Sequence, residues 1–545
     1  MQTKHFAVLL ALFLILSFYV MGSGVLDLLY YAFRSFIRMV AAYAISIVFS
    51  FVFGLLIIHN KRAYEYVFPI VDVLQAIPIL GFLPFAMLVF EQIFPGSILG
   101  PEFSSVFLIF TSMTWAVLFA VVESGASITN EIRDLAKILN LNGMRYLTQV
   151  VLPISFPQFV SGSIAGWGGG WYFLVAAEYL SWGNQPVKLP GLGSFISQSA
   201  FHFDIIHSVL GVAMLAFVVF GMNIYVWQPL LYRARSFSSK PLVGEEREAK
   251  EGSDFLMGFF GSAYGKLKSA FERMHRSTEA FFTWLRISPA YSTSHEKISN
   301  KVAYLLTGSV FVIFVCFLFF RPPSVEGFSI VSFVSRSVLR ILIAFSIALA
   351  WTAAVAIFLA RNKRAMNVLM PVFDLGQSIP AVSIFPVMVV LVVETIGKAI
   401  GIEIGLEVAS ILLVLTGMQW YLLFNLIRAV QNIPDEILDL SNLFSLRTLE
   451  RLRHIMVPAI MPAVFVGGLE AMGGGWNASI VSEYIISPAG TPYAMPGVGF
   501  LLSKSSAAGD MNGVILAVCA ITLLILIPHQ LIWKPMVRES YRYKF

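Results

Sequence analysis

The chain has 545 residues, of which 58% are hydrophobic and 12% charged, with a mean hydropathy of +0.79 and a net charge of +6. So apolar a composition excludes an ordinary soluble globular protein and points to a chain that crosses a membrane many times. Two cysteines, Cys316 and Cys519, both inside apolar runs, leave no basis for a disulfide framework or a thiolate metal site.

Apolar runs long enough to cross about 30 Å of hydrocarbon at about 1.5 Å per residue fall at 6–22, 35–59, 66–92, 104–122, 152–180 and 204–230. A second set falls at 302–320, 333–360, 368–395, 407–427, 457–485 and 512–534. With no water in the hydrocarbon to satisfy backbone groups, each run should be helical. The first has the basic start and apolar core of a signal peptide. A similar run opens the second set in mid-chain, so both read as retained spans. Lys61 and Arg62, Lys363 and Arg364, and the bases Arg133, Lys137, Arg145, Arg447, Arg451 and Arg453 share one side, while Lys188, Lys398 and Lys504 are among the few on the other. The positive-inside rule then puts both termini and the central linker in the cytoplasm.

The third span of the first half carries Pro69, Asp72, Gln75 and Pro78, and the same pattern returns as Pro371, Asp374, Gln377 and Pro380, at a constant offset of 302. Proline removes a backbone hydrogen bond and kinks a helix, and an intramembrane carboxylate is tolerated where it faces a cavity or other protein. Asp72, Gln75, Pro78, Asp374, Gln377 and Pro380 are therefore candidates for a translocation path; the alternative is a structural hydrogen bond to a neighbouring helix. Arg34 and Arg38 match Arg336 and Arg340 at the same offset.

Between the fourth and fifth spans lies a polar, helix-prone stretch, NEIRDLAKILNLNGMRYLTQVVLP from Asn130 to Pro153, which recurs as DEILDLSNLFSLRTLERLRHIMVP from Asp435 to Pro458, without a gap, at an offset of 305. Its repetition means that a whole domain is used twice. In the fifth spans, Gly168 to Gly170 followed by Trp171 match Gly473 to Gly475 followed by Trp476. They lack the Lys-Ser/Thr of a phosphate loop, and small residues there let helices approach closely. Gly169, Trp171, Gly474 and Trp476 are read as pore lining, against plain interface packing. Glu178 and Glu483 lie about 37 Å of helix beyond Pro153 and Pro458, which predicts cheaply solvated carboxylates at the outer face, beside the turns Leu189 to Gly193 and Met495 to Gly499.

Six spans per half give both copies the same topology, related by a pseudo-two-fold axis along the membrane normal. The expected architecture is an all-α membrane protein of two tandem six-helix domains, 1–235 and 299–545, joined by a hydrophilic linker, 236–298. In the linker, Phe260, Tyr264, Leu267, Phe271 and Met274 recur at helical spacing, predicting an amphipathic helix. No nucleophile triad, His/Cys ligand spacing or P-loop is present, so neither a catalytic nor a metal site is expected in this chain.

The repeated loop resembles the EAA loop of binding-protein-dependent ABC importer permeases, in which Glu-Ala-Ala precedes a Gly and, later, an apolar pair and Pro. Asp134, Leu135 and Ala136, and Asp439, Leu440 and Ser441, stand at the Glu-Ala-Ala positions, while Asn140 and Ser445 stand at the Gly. The Asp-containing third span and the Ala177-Glu178 pair are similar to the nitrate, sulfonate, taurine and bicarbonate branch of that family. The resemblance implies a fused double permease importing a small anion, with two copies of an ABC ATPase subunit docked on the loops, an extracytoplasmic solute-binding protein, and ATP and Mg bound by the ATPase. It implies coupling contacts at Glu131, Asp134, Ala136, Asn140, Leu141, Gly143, Glu436, Asp439, Ser441, Ser445 and Leu446. Lipid is the other partner; nucleic acid is not expected. The rival is an ion-coupled secondary transporter of two six-helix halves working through Asp72 and Asp374.

Overall fold

A computed structural model describes residues 2–235, 296–320 and 329–540, apart from positions 127, 142, 183–184, 203, 380, 432, 435, 438–442, 445 and 487–491. The linker helix predicted around Phe260 to Met274 therefore lies outside the described residues. The first half comprises α1 (Gln2–Met21), α2 (Gly24–His59), α3 (Lys61–Ala76), α4 (Leu83–Ile93), α5 (Leu99–Ala126), α6 (Asn130–Ile138), α7 (Leu152–Glu178), α8 (Leu192–Phe201) and α9 (Ile205–Met222). The second comprises α10 (Glu296–Phe320), α11 (Ser329–Arg361), α12 (Lys363–Ser378), α13 (Ala381–Val392), α14 (Ile402–Gln431), α15 (Val457–Ser482), α16 (Val498–Ala507) and α17 (Met511–Pro528). Two short antiparallel ribbons complete it, β1 (Tyr179–Trp182) with β2 (Gln185–Lys188), and β3 (Tyr484–Ile486) with β4 (Pro492–Ala494).

Among the described residues nine helices are long and apolar enough to cross a membrane. The third span of the first half departs from a single kinked helix: α3 ends at Ala76, the chain turns through Ile79–Phe82, and α4 leaves at an angle of 96°. Ile77 is extended (φ −69°, ψ 126°), as a residue before proline prefers, so Pro78 ends the helix instead of bending it. The same break separates α12 from α13, with Ile379 extended.

Helix starts repeat between the halves as the sequence does. Asn60 accepts hydrogen bonds from the amides of Arg62 and Ala63, and Asn362 from that of Ala365. Asp204 caps α9 through the amide of His207, and Asp510 caps α17 through those of Asn512 and Gly513. Each cap satisfies donors that a helix start leaves open.

Within each half the main packing is α5 against α7 and α2, and α14 against α15 and α11. The halves meet reciprocally: α7 packs on α13, and α15 on the Ile79–Phe82 turn; α3 packs on α17, and α9 on α12. One hydrophobic core, containing Met39, Met113, Trp171, Met418 and Trp476, runs through both. The result is two tandem helical membrane domains related by a pseudo-two-fold axis.

Candidate functional site

Glu178 and Glu483 end α7 and α15, and both are fully buried, not solvated at an outer surface as their depth along the helix suggested. The reason is a counter-ion brought from far away in sequence. Arg38 donates to Glu178 Oε1 at 2.8 Å, to the carbonyl of Pro190 at 2.9 Å, and to both oxygens of Glu102 at 2.7 Å. Ser35 Oγ donates to Glu178 at 2.6 Å and receives the amide of Leu192, while the amide of Gly193 donates to Glu178 at 2.7 Å. In the second half Arg340 bridges Glu483 at 3.0 Å and Glu407 at 2.6 Å, with Ser337 and the amide of Gly499 completing the set. A buried carboxylate is stable only when paired and hydrogen-bonded in this way.

The turns beside these acids are consequently cradles, not exposed docking surfaces: Leu189, Gly191 and Leu192 are buried. A Cβ on Gly191 would collide with the Glu178 carboxylate, and one on Gly497 with that of Glu483. Glu102 and Glu407 carried no assignment in the sequence, although an acid repeated at offset 305 inside an apolar run was the available signal.

The glycine runs pack α5 on α7 and α14 on α15 inside each half. A Cβ on Gly169 would lie 3.1 Å from the Ser112 carbonyl, and one on Gly474 would strike the Gly417 carbonyl. Trp171 and Trp476 correct the pore-lining expectation: they are 1% and 3% exposed. Trp171 stands edge-on to Trp167 at 6.2 Å. At a helical pitch of about 100° per residue, the face that opens is carried by their neighbours. A Cβ added at Gly168 or Gly473 would meet nothing within 4 Å, and Ala165 and Glu470, in register with them, are exposed. Two residues pin this face to the boundary between the halves. Asn477 Oδ1 accepts the amide of Ile79, freed by the break after α3, at 3.1 Å, and the Tyr172 hydroxyl lies against Gly417 of α14.

Of the third-span candidates, Asp72 is half-buried and accepts a hydrogen bond from the exposed Gln75 at 2.9 Å. Its charge acts on His529, beyond α17 of the other half. Pro78 is buried and Gln377 exposed. The Asp374 side chain and Pro380 lie outside the described residues.

In the first polar loop, α6 turns Arg133 and Ala136 inward and leaves Glu131 and Asp134 exposed; Asp134 pairs with Lys137 at 2.9 Å. Hydrogen bonds from the side chain of Thr129 and its own amide hold the Glu131 carboxyl below its ordinary pKa. The helix ends at Asn140, which has φ +51°. The amides of Asn140 and Leu141 bond back to the carbonyls of Lys137 and Ala136 at 3.0 and 2.8 Å, closing a Schellman turn. Asparagine tolerates the left-handed region better than any other residue with a side chain except close analogues such as aspartate, so Asn140 does the backbone work of glycine. Leu141 packs against Ala136 and Tyr146. Gly143 begins a one-turn helix, Gly143–Tyr146. In the second loop Glu436 is exposed and Leu446 half-buried, while Asp439, Ser441 and Ser445 lie outside the described residues.

The sequence matches the family of binding-protein-dependent transport system inner membrane components twice, over residues 46–228 and 346–532. The chain belongs to that family. Among similar proteins, the nitrate import permease protein NrtB of a Synechocystis species is 26% identical over 178 residues, covering 33% of this chain and 59% of the relative. The bicarbonate transport system permease protein CmpB of Synechococcus elongatus is 27% identical over 179 residues, 32% of this chain and 60% of the relative. The taurine transport system permease protein TauC of Escherichia coli is 29% identical over 157 residues, 29% and 52%. The chain thus spans about three-fifths of the length of the first curated relatives it matches. The family description makes it an inner-membrane component of a binding-protein-dependent transport system. The family match includes both polar loops, both broken third spans and all four glutamates of these ion-pair clusters, but in each half begins after the arginine that pairs them, Arg38 or Arg340.

Proposed function

We propose that this chain is a double permease of an ATP-driven importer, with residues 1–235 and 299–545 as two domains lining one path and 236–298 as a cytoplasmic linker. Its solute is a small oxyanion-bearing molecule, in keeping with the nitrate, bicarbonate and taurine named for its relatives. Energy comes from two copies of a separate ATPase that bind ATP and Mg. A solute-binding protein delivers cargo on the far side, and the positive-inside distribution of lysine and arginine puts the polar loops in the cytoplasm with the ATPase.

The observation that carries the reading is the pair of uncovered apolar side chains on the two polar loops. Ile138 and Leu443, equivalent at offset 305, are each 80% exposed, and Leu139 and Phe444 stand exposed beside them. Large apolar groups on an otherwise charged loop mark a protein contact, and their duplication fits a partner present twice. The test is co-purification and ATP hydrolysis with the cognate ATPase after Ile138→Asp and Leu443→Asp. Each substitution should leave folding within about 0.5 kcal/mol of wild type, as expected for exposed positions, and each should weaken assembly, the pair abolishing transport. Full assembly of the double variant would refute the docking role.

A further inference from the structure

The two halves differ in polarity on matching faces of their fourth and fifth spans. On α14, Tyr421, Asn425 and Arg428 occupy the positions of Ala116, Ala120 and Glu123 on α5, and on α15 Glu470 occupies that of Ala165 on α7, all at offset 305. The second half therefore carries a polar cluster in mid-span where the first carries alanine. Asn425 Nδ2 donates to Glu470 Oε2 at 2.9 Å and to the Tyr421 carbonyl at 2.8 Å. Glu470 Oε1 has no partner among the described residues. Arg428, a turn further along α14, acts on the same carboxylate through its charge, and Glu470 acts on Tyr421 in turn. Glu470 is exposed and Tyr421 is 45% exposed, although both lie well inside helices that cross the membrane.

This face adjoins the boundary between the halves. Gly473, one turn along α15 from Glu470, borders open space, and Asn477, the next turn on, touches the first half through Ile79. The first half adds Tyr172. Its hydroxyl is buried without a hydrogen-bond partner among the described residues, beside Gly417 and at the level of the Gly474 carbonyl. A buried hydroxyl left unpaired is destabilising unless a ligand supplies its partner, and an ionisable group inside a span is retained for a ligand or a pathway.

The geometry points to a solute-binding site formed by Tyr172 of the first half with Tyr421, Asn425 and Glu470 of the second, built for a small zwitterion whose ammonium meets Glu470 and whose oxyanion meets the Tyr172 hydroxyl. A bare oxyanion finds a carboxylate of like charge here, whereas a zwitterion offers each of the two groups a partner of its own. The inference rests on the reading of the chain as an importer of oxyanion-bearing solutes and narrows it.

Equilibrium binding to the full chain in lipid nanodiscs, followed by saturation-transfer NMR titration, tests it with 3-aminopropanesulfonate, propanesulfonate and propylamine. The aminosulfonate should bind about tenfold more tightly than propanesulfonate, the size of one charge-assisted hydrogen bond. Glu470→Gln should erase that ratio and Glu470→Asp retain part of it. Tyr172→Phe should weaken both sulfonates alike, roughly threefold or more, and leave propylamine unchanged. Equal binding of the two sulfonates, or a ratio untouched by Glu470→Gln, overturns the zwitterion site while leaving the oxyanion reading intact. Binding of propylamine with neither sulfonate overturns the oxyanion reading and the zwitterion with it. Binding of none of the three overturns the site.

Discussion

Replacing Arg38 by methionine keeps an unbranched, flexible stem and removes the only charge that reaches Glu178 among the described residues. The carboxylate is 0% exposed and would retain only Ser35 at 2.6 Å and the amide of Gly193 at 2.7 Å. Stripping one partner from a buried ion pair costs about 3–5 kcal/mol. The two remaining donors argue for the lower part of that range, and the lost bond to the Pro190 carbonyl adds about 1 kcal/mol. Glu102 is spared, because Arg34 still reaches it at 2.5 Å. The expected loss is therefore about 4 kcal/mol, close to a thousandfold in the unfolding equilibrium. Glu178→Gln leaves Arg38 its pair with Glu102 and should cost only about 1–2 kcal/mol. The double variant Arg38→Met with Glu178→Gln should cost less than the sum of the two, since the charge stranded by the first change is removed by the second. Equilibrium unfolding in mixed micelles, read by tryptophan fluorescence, measures all three against Lys137→Met, a change at an exposed pair on α6. Should Arg38→Met unfold with that control, or the two losses simply add, the account of a buried, mutually dependent pair is wrong.

Gly191→Ala and Gly497→Ala drive a Cβ into the carboxylates of Glu178 and Glu483 and should lower thermal stability in the same micelles. Gly168→Ala and Gly473→Ala meet open space and, as helix substitutions, should stabilise by up to about 1 kcal/mol while perturbing uptake in proteoliposomes. At Asn140, with φ +51°, glycine should be neutral, whereas alanine should cost about 1 kcal/mol and raise hydrogen exchange across Asn130–Ile138. The ring of His207 stands 2.7 Å from the Asp204 carboxylate and its amide donates to it, and together they hold that carboxyl below the ordinary aspartate range. A depressed folded-state pKa means that its support for the start of α9 is full above the unfolded value of about 3.9 and fades as pH falls through the folded one. Amide exchange at Ile205–Ser208 should accordingly rise at acid pH in wild type, and Asp204→Asn should flatten that response.

Much of this protein was written along the chain. Spans follow from apolar runs because lipid forces each backbone group to be satisfied within its own segment. The duplication follows from constant offsets, and the polar loops from charge that hydrocarbon would not accept. Those are local constraints, readable one segment at a time. Direction around a helix is different. Four consecutive residues, Gly168 to Trp171, point to every side of α7, and only the positions of α5 and α13 decide that Gly168 faces the opening and Trp171 the core. Helix length accounts for Glu178 standing at the far end of α7, yet its environment depended on Arg38, 140 residues away. The severity of the break at Pro78 depended on Asn477 of the other half to receive the freed amide of Ile79. The polar cluster around Glu470 had letters but no meaning until the fold set α14 and α15 opposite Tyr172. Local sequence dictates which segments enter the membrane; which side chains meet there is settled by long-range packing, because a buried charge or amide is stable only beside a partner that the rest of the chain must deliver.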